Sequence, residues 1–253
     1  MTKIVIGPRS GMNWIPLSID EIACPSTKST VDVVKTWAQD HLTVTHPELG
    51  RDGPVCPYVA PSIRRDLMWI GRVSGARPWP SFVRLVLSDA MELFPALPPT
   101  EGGAAVLRTL VTVLPDLRDY SLIDELHQEL KSAFVERGIM LGQFYPGCDQ
   151  PGLWNKDFRP LDAPVPMLVV RNMMATDFPF LLERPEWMSA YVKKFAPALP
   201  AHVRHLVVSR LTADSNTYVP AYESEQTPAA VADSRSLGRT NGKPVSAAPR
   251  RAS

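Results

Sequence analysis

Hydrophobic and polar positions follow two alternating patterns through the middle of the chain. Apolar residues at helical spacing predict helices at 29–42, 81–94 and 119–137, with two shorter helices at 187–195 and 202–211. Uninterrupted apolar runs predict buried strands at 67–73, 105–114, 140–144 and 166–171. Because helices and strands alternate, the sequence predicts an α/β fold, with α+β as the alternative, built on a single mixed sheet with packed helices.

The two ends of the chain do not share this pattern. Residues 1–29 are weakly patterned and predict an N-terminal arm, in which residues 4–6 could also form a short strand. Residues 30–212 are expected to form a single α/β domain. From residue 213 onward the sequence consists mainly of small and polar residues with almost no bulky aliphatic side chains. That composition cannot bury enough apolar area to order a chain, so 213–253 are predicted to be a disordered tail.

Composition narrows the class of protein. Apolar residues make up 45% of the 253 positions and charged residues 21%, and the net charge is +1. Such a balance gives no overall field that would favour nucleic acid or an anionic membrane. No apolar run approaches the roughly 20 residues of a membrane helix, and the first ten residues lack a secretory signal. The three cysteines are odd in number and widely spaced. We therefore predict a cytoplasmic protein whose partner is a small molecule.

No catalytic signature identifies a reaction. The sequence contains no GxGxxG, GxxxxGK[ST], GxSxG or HExxH motif. The long irregular segment 145–165 lies between two apolar strands and mixes polar, aromatic and charged groups, among them Tyr145, Asn155 and Arg159. Such a segment is typical of a small-molecule pocket. The alternative is an ordered structural loop whose carboxylates bind backbone N–H groups and pair with Arg159.

A second candidate group lies at the end of the last predicted strand. Arg171 ends that strand, and Asp177 follows six residues later. Strand ends in open sheets often border ligand crevices, and an arginine there could bind a substrate carboxylate through two hydrogen bonds. The alternative is an internal ion pair with Asp177. Because prolines stiffen the connection from the preceding loop, we expect Arg171, Asp177, Asn155 and Arg159 to converge on one pocket for a small polar ligand such as an amino acid.

Cys56 lies in a loop, 46–62, that is stiffened by prolines. The ordinary interpretation is a buried thiol that packs as a small hydrophobic group. The alternatives are a reactive thiol and a thiolate ligand for a metal or a haem iron. His127, on the predicted helix 119–137, is expected to be packed or solvated and not to bind a metal.

Several of these segments resemble an uncharacterised, mainly actinobacterial family known as a domain of unknown function. The resemblance covers about residues 45–200 and rests on motifs that keep their order. These are a Cys-Pro-Phe/Tyr loop (56–58), an Asn-x-x-Phe-Arg-Pro loop (155–160) and a Pro-Val-Pro strand (164–166) that ends in Arg171. Family members tend to have Gly-Glu-Phe-His-Pro where this chain has Gln143 and Tyr145. If those positions transfer a proton or bind a metal, this chain lacks that chemistry.

The Cys56 loop and the later apolar strand are also similar, more distantly, to haem-dependent amine N-oxygenases of bacterial specialised metabolism. That similarity implies a small-molecule enzyme with haem as its cofactor and Cys56 as a candidate iron ligand. The competing expectation is a non-catalytic binding or accessory protein on the same scaffold, which the departures at two family positions favour. In either case the expected ligand-binding residues are Arg171, Asp177, Asn155, Arg159, Tyr145 and Gln143.

Overall fold

A single mixed sheet organises the part of the chain that the computed structural model describes, residues 4–19, 21–75 and 80–213. Its strands are β1 (Val5–Ile6), β2 (Asn13–Pro16), β3 (Met68–Arg72), β4 (Thr109–Val113), β5 (Ile139–Phe144) and β6 (Met167–Asn172). The helices are α1 (Pro25–Trp37), α2 (Val59–Arg64), α3 (Pro80–Leu93), α4 (Ser121–Glu136), α5 (Pro185–Phe195) and α6 (Ala201–Ala213). The prediction of an α/β fold with one mixed sheet is confirmed.

The strands lie in the order β1-β2-β3-β4-β6-β5. β3 and β4 are parallel because the chain crosses back through α3 between them, and every other pair of neighbours in this sheet of described strands is antiparallel. β6 lies between β4 and β5. Its residue Arg171 therefore has Thr109 opposite it on one side and Met140 on the other.

The two faces of the sheet bury different groups, because successive side chains of a strand point to opposite sides. Leu110, Leu168 and Val170 pack beneath α3 and α4 in one cluster. Val111 and Met167 belong to a second cluster, with residues of α1 packed over them. A third cluster joins α5 and α6 to the end of α4 and to β5. Each fully buried Leu or Val contributes about 1.5–3 kcal/mol to folding.

β1 and β2 lie inside the segment 1–29 that the sequence indicates as an arm, so the sheet begins well before residue 30. β2 pairs with β3, and Trp14 is fully buried with its Nε1–H donating to Thr112 Oγ1 over 3.1 Å. The buried carboxylate of Asp89 holds the turn between β1 and β2, because it accepts from the Ser10 N–H at 2.8 Å and from Arg9 Nε at 2.8 Å. These contacts join residues that are far apart in sequence.

Other boundaries differ from the pattern for local reasons. α1 begins at Pro25 and not at Ser29 or Thr30, since proline suits the first helical position. The strand expected at 105–114 is divided: 105–107 form a 3₁₀ turn, and β4 begins at Thr109. Buried Arg108 fixes this turn, because its guanidinium donates to the carbonyls of Ala105 and Pro95 at 2.8 and 3.0 Å. α2 and the 3₁₀ turn Ala175–Leu181 lie where no element was predicted.

The predicted disordered tail comprises residues 213–253. Its first residue, Ala213, is the last residue of α6, and 214–253 lie outside the described residues. Across the described part of the chain, each helix is too short or too polar to cross a lipid bilayer.

Candidate functional site

A cavity of about 230 Å³ lies between the α1 side of the sheet and the segments that cover it. Its floor consists of side chains that alternate residues of the neighbouring strands β3, β4, β6 and β5 place on this face, namely Met68, Thr109, Val111, Met140, Phe144, Met167 and Val169. Its cover is formed by α1, the π-helical turn Ala38–Leu42 that continues it, and the segment 55–59. Gly142 in β5 leaves space in the floor, because a Cβ there would lie 3.2 Å from the Phe144 ring.

One end of this cavity is polar. Among the described residues that line it, Arg171 carries the sole full charge, and Cys56, Tyr58 and Thr109 supply the other polar side chains. Arg171 reaches this end because Met167, Val169 and Arg171 occupy the same face of β6. The cavity is therefore a mainly apolar chamber with one cation at its end.

An ion pair fixes the orientation of this cation. Arg171 Nη1 lies 2.7 Å from Asp177 Oδ2, and Nη2 lies 2.8 Å from Oδ1. Nη1 also donates to the carbonyl of Asn172 at 2.9 Å, and Asp177 Oδ2 accepts the N–H of Met174 at 2.7 Å. Burial opposes the charge of Arg171, but the hydrogen bonds and the charge of Asp177 outweigh it and raise the pKa of the guanidinium. The arginine is thus permanently charged and held in place.

The Cys-Pro-Tyr loop is held against both sides of the cavity. The Cys56 N–H donates to the carbonyl of Leu42 at 2.8 Å, which ties the loop to the π-helical turn. Arg51 Nη2 donates to the carbonyls of Pro54 and Val55 at 2.9 and 3.1 Å. Cys56 is a free, partly exposed thiol. The Tyr58 hydroxyl lies 3.4 Å from Thr176 Oγ1 in the 3₁₀ turn that carries Asp177, so it bridges the mouth of the cavity.

This cavity does not accommodate haem. Pockets for drug-sized ligands have volumes of roughly 300–1,000 Å³, and haem is larger than most such ligands. The cavity here has a volume of about 230 Å³, which is too small for haem. Within the described parts of the chain, no group of three or more His, Cys, Asp or Glu side chains could hold a metal ion. Cys56 lines the cavity as the sequence allowed, but as a thiol beside an arginine and not as an evident metal ligand.

Gln143 and Tyr145 lie on the opposite face of the sheet from Arg171. Gln143 Nε2 and the Tyr145 hydroxyl donate to the two carboxylate oxygens of Asp124 in α4, at 2.8 and 2.9 Å. Burial, reinforced by the hydrogen bond to Asp124, raises the pKa of Tyr145, so the phenol keeps its proton. The Tyr145 ring stacks on Tyr120 with 5.2 Å between centroids. These two residues therefore fasten α4 to β5.

Asn155 and Arg159 also lie away from the cavity lining. Asn155 Nδ2 donates to the carbonyl of Glu48 at 2.8 Å, and its Oδ1 accepts the N–H of Asp157. Arg159 Nη1 donates to the carbonyls of Lys156 and Phe158. The structural alternative is observed in part, because Asp162 Oδ1 accepts the N–H of Gly147 at 2.8 Å but Arg159 binds carbonyls in these contacts and not a carboxylate. Of the four residues that were expected to converge on one pocket, the structure brings Arg171 and Asp177 together and leaves the other two apart from them.

Comparison of the sequence with known protein families identifies one family that covers most of the chain. The family model described as a domain of unknown function, DUF6875, matches residues 31–206. The chain belongs to the DUF6875 family. No curated protein and no solved structure matches the chain. The DUF6875 match includes every residue that lines the cavity, and it leaves out β1 and β2.

The DUF6875 region also contains a groove that sequence reasoning missed. It has a volume of about 540 Å³ and is lined by Trp37, His41, His46, Glu48, Pro146, Asp157, Phe158, Arg159, Asp162, Ala163 and Pro164. The Trp37 and His41 rings stack at 6.0 Å, and the His46 and Phe158 rings lie 4.8 Å apart. Burial, with a smaller effect of His46, lowers the pKa of His41 and so favours its neutral form.

The two histidines of this groove give no recognisable motif in the sequence. His41 belongs to an apolar helical face, and His46 lies in a loop rich in glycine and proline. They approach because α1 continues into the π-helical turn, a feature frequent at functional sites. That turn has no signature that could have been read from the residues alone.

Proposed function

We propose that this protein binds a small, mainly apolar molecule in the cavity over the sheet, with Arg171 as the polar anchor. The observation that carries the proposal is a single fixed cation at one end of an otherwise apolar chamber. Small-molecule sites generally have this composition, an apolar lining with few polar groups that fix the orientation of the ligand. A role in bacterial specialised metabolism is part of the proposal through the distant similarity of the Cys56 loop to amine N-oxygenases, without their haem.

Binding without catalysis is the function that the lining supports best. The titratable side chains that line the cavity are Cys56, Tyr58 and Arg171, so its described lining contains no carboxylate or imidazole to act as a general base. The imidazoles of His41 and His46 lie in the separate groove. An enzymatic role would therefore depend on the thiol of Cys56 or the phenol of Tyr58. Haem chemistry is not part of the proposal, because the cavity is too small.

Filling the cavity tests this proposal. Val169 projects into it from the middle of β6, so Val169→Phe should occupy the space that a ligand needs. Isothermal titration calorimetry with toluene, an apolar probe, should show binding to the wild-type protein and at least a tenfold loss in the variant. Val33→Phe is the matched control, since Val33 lies on the exposed side of α1 and should leave binding unchanged. Equal affinity of Val169→Phe and the wild type would contradict the proposal.

A further inference from the structure

We infer that the ligand of the cavity is a monocarboxylate with one aromatic ring, held by the free edge of the Arg171 guanidinium, and that free amino acids are rejected. This inference rests on the proposed function and specifies its ligand class. It also replaces the expectation of an amino acid with an apolar acid.

The first argument is a count of hydrogen-bond donors. A guanidinium has five N–H groups in a plane. Three of those of Arg171 are used: both on Nη1, toward Asp177 and Asn172, and one on Nη2, toward Asp177. Among the hydrogen bonds of the described residues, the Nε–H and the second Nη2–H are not used, and these two groups point in parallel from one edge of the guanidinium. Two parallel donors match the two oxygens of a carboxylate.

The second argument is the balance of charge around this edge. Asp177 neutralises one positive charge, but Lys194 lies close enough to Arg171 and Asp177 for its pKa to respond to both charges. Lys194 Nζ donates to the carbonyl of Gly138 at 2.6 Å, which leaves Asp177 as the carboxylate that these two cations share in the described contacts. Two cations near one carboxylate favour an anionic ligand.

The third argument concerns the body of the ligand. A protein cavity of about 150 Å³ can hold benzene. The volume of about 230 Å³ here suits one ring and a short chain that reaches Arg171. Three thioethers, from Met68, Met140 and Met167, line the floor, and the rings of Trp37 and Phe144 border the chamber. Methionine sulfur makes favourable contacts with aromatic rings, so an aryl group suits this lining better than a polar one.

The exclusion of amino acids follows from the same lining. An ammonium group next to the carboxylate needs acceptors when water is removed from it. The nearest carboxylate, Asp177, is 3% exposed, and its oxygens already accept both nitrogens of Arg171 and the N–H of Met174. An α-ammonium would therefore lie beside the Arg171 guanidinium, and the described lining residues offer it no carboxylate as a partner.

Three matched compounds test the inference by isothermal titration calorimetry at pH 7.5. They are 3-phenylpropanoate, the alcohol 3-phenylpropanol, and phenylalanine, which adds an α-ammonium to the acid. Wild-type protein should bind the acid at least tenfold more tightly than the alcohol, and it should bind phenylalanine at least a hundredfold more weakly than the acid. Arg171→Met should reduce affinity for the acid at least tenfold and leave affinity for the alcohol within threefold.

Two further variants separate binding from folding. Arg171→Met removes the partner of buried Asp177, so the double variant Arg171→Met/Asp177→Leu, which removes both charges, serves as the second test and should show the same selective loss. Arg84→Met is the control, because Arg84 forms an exposed bidentate pair with Glu129 outside the cavity. Its affinities should match those of the wild type.

The outcomes distinguish a failure of the proposed ligand class from a failure of the proposed function. Equal binding of acid and alcohol by the wild type would overturn the carboxylate assignment and leave the apolar binding site intact. Phenylalanine binding as tightly as the acid would overturn the exclusion of amino acids. No binding of any compound or of toluene would overturn the proposed function itself.

Discussion

His127 should make the stability of this protein depend on pH. His127 is a partly buried residue of α4, and its Nε2 lies 3.1 Å from the carbonyl oxygen of Leu141 in β5. Burial, with a smaller effect of the charge of Lys131, lowers the pKa of His127 from its ordinary value of 6.5 to about 4. The unfolded chain takes up a proton near pH 6.5, whereas the folded protein resists protonation until about pH 4. The contribution of His127 to the free energy of unfolding is therefore fully present above pH 6.5, and it is lost as the pH drops from 6.5 toward 4.

The size of this effect follows from proton linkage. A pKa difference of one unit corresponds to about 1.4 kcal/mol. With the folded pKa of His127 near 4, the free energy of unfolding should be about 2 kcal/mol lower at pH 5 than at pH 7.5, and about 3 kcal/mol lower at pH 4. Against a total of roughly 5–15 kcal/mol for a typical domain, such a change is easily measured.

Urea unfolding of three proteins at pH 7.5 and pH 5 measures this contribution. His127→Gln keeps an amide that can donate to the Leu141 carbonyl but does not titrate, so it should lose about 2 kcal/mol less than the wild type between the two pH values. His202→Gln is the control, since His202 is exposed on α6, and its loss should equal that of the wild type. A wild-type pH dependence in His127→Gln would refute the assignment.

Two other ionisable sites give further predictions. Hydrogen bonds with the hydroxyl groups of the next residues, Ser26 first, lower the pKa of exposed Cys24 to about 6. At pH 7, iodoacetamide should therefore alkylate Cys24 at least tenfold faster than buried Cys148, as measured by peptide mass spectrometry, and equal rates would contradict the prediction. Gln143→Glu would place a second carboxylate against Asp124, so thermal unfolding should show greater destabilisation at pH 8 than at pH 5, where a shared proton relieves the repulsion; a loss independent of pH would count against this geometry.

The local pattern of apolar residues predicts some strands of the sheet and misses others. β4 and β6 are buried on both faces, so their apolar runs predict strands without knowledge of their neighbours. β2 has four residues, begins with exposed Asn13 and ends with Pro16, which no short-range pattern marks as a strand. Its place depends on contacts with distant residues, above all the hydrogen bond from Trp14 to Thr112. Such pairings depend on the tertiary structure and cannot be read from a window of neighbouring residues.

At the candidate site, too, the sequence predicts some contacts and misses others. The pair of Arg171 and Asp177 could be predicted, because six residues after a strand end bring the chain back through one turn. The location of Gln143 depends on register, which the sequence does not define. Arg171 lies opposite Met140, so even-numbered residues of β5 share its face and Gln143 points the other way. Shifting the register by one residue would reverse the assignment.

The loop residues Asn155 and Arg159 lie apart from the cavity for a different reason. Asn155 and Arg159 have side chains suited to ligand binding, but their hydrogen bonds go to backbone groups within and next to their own loop. Which polar groups a loop uses internally depends on its conformation, and proline and glycine content indicates only that the conformation is restricted.

The antiparallel strand β2 has a practical consequence for recombinant fragments. A fragment cut at the start of the family match, residue 31, would retain the cavity but lose β1 and β2. The outer edge of β3 would then present unpaired backbone groups along an apolar strand, beside the space that Trp14 had filled. Open apolar edges pair with other chains, so such a fragment should form aggregates even though its binding site is complete. Expression of this protein should therefore begin upstream of Val5, before the hairpin of β1 and β2 that covers the edge of β3.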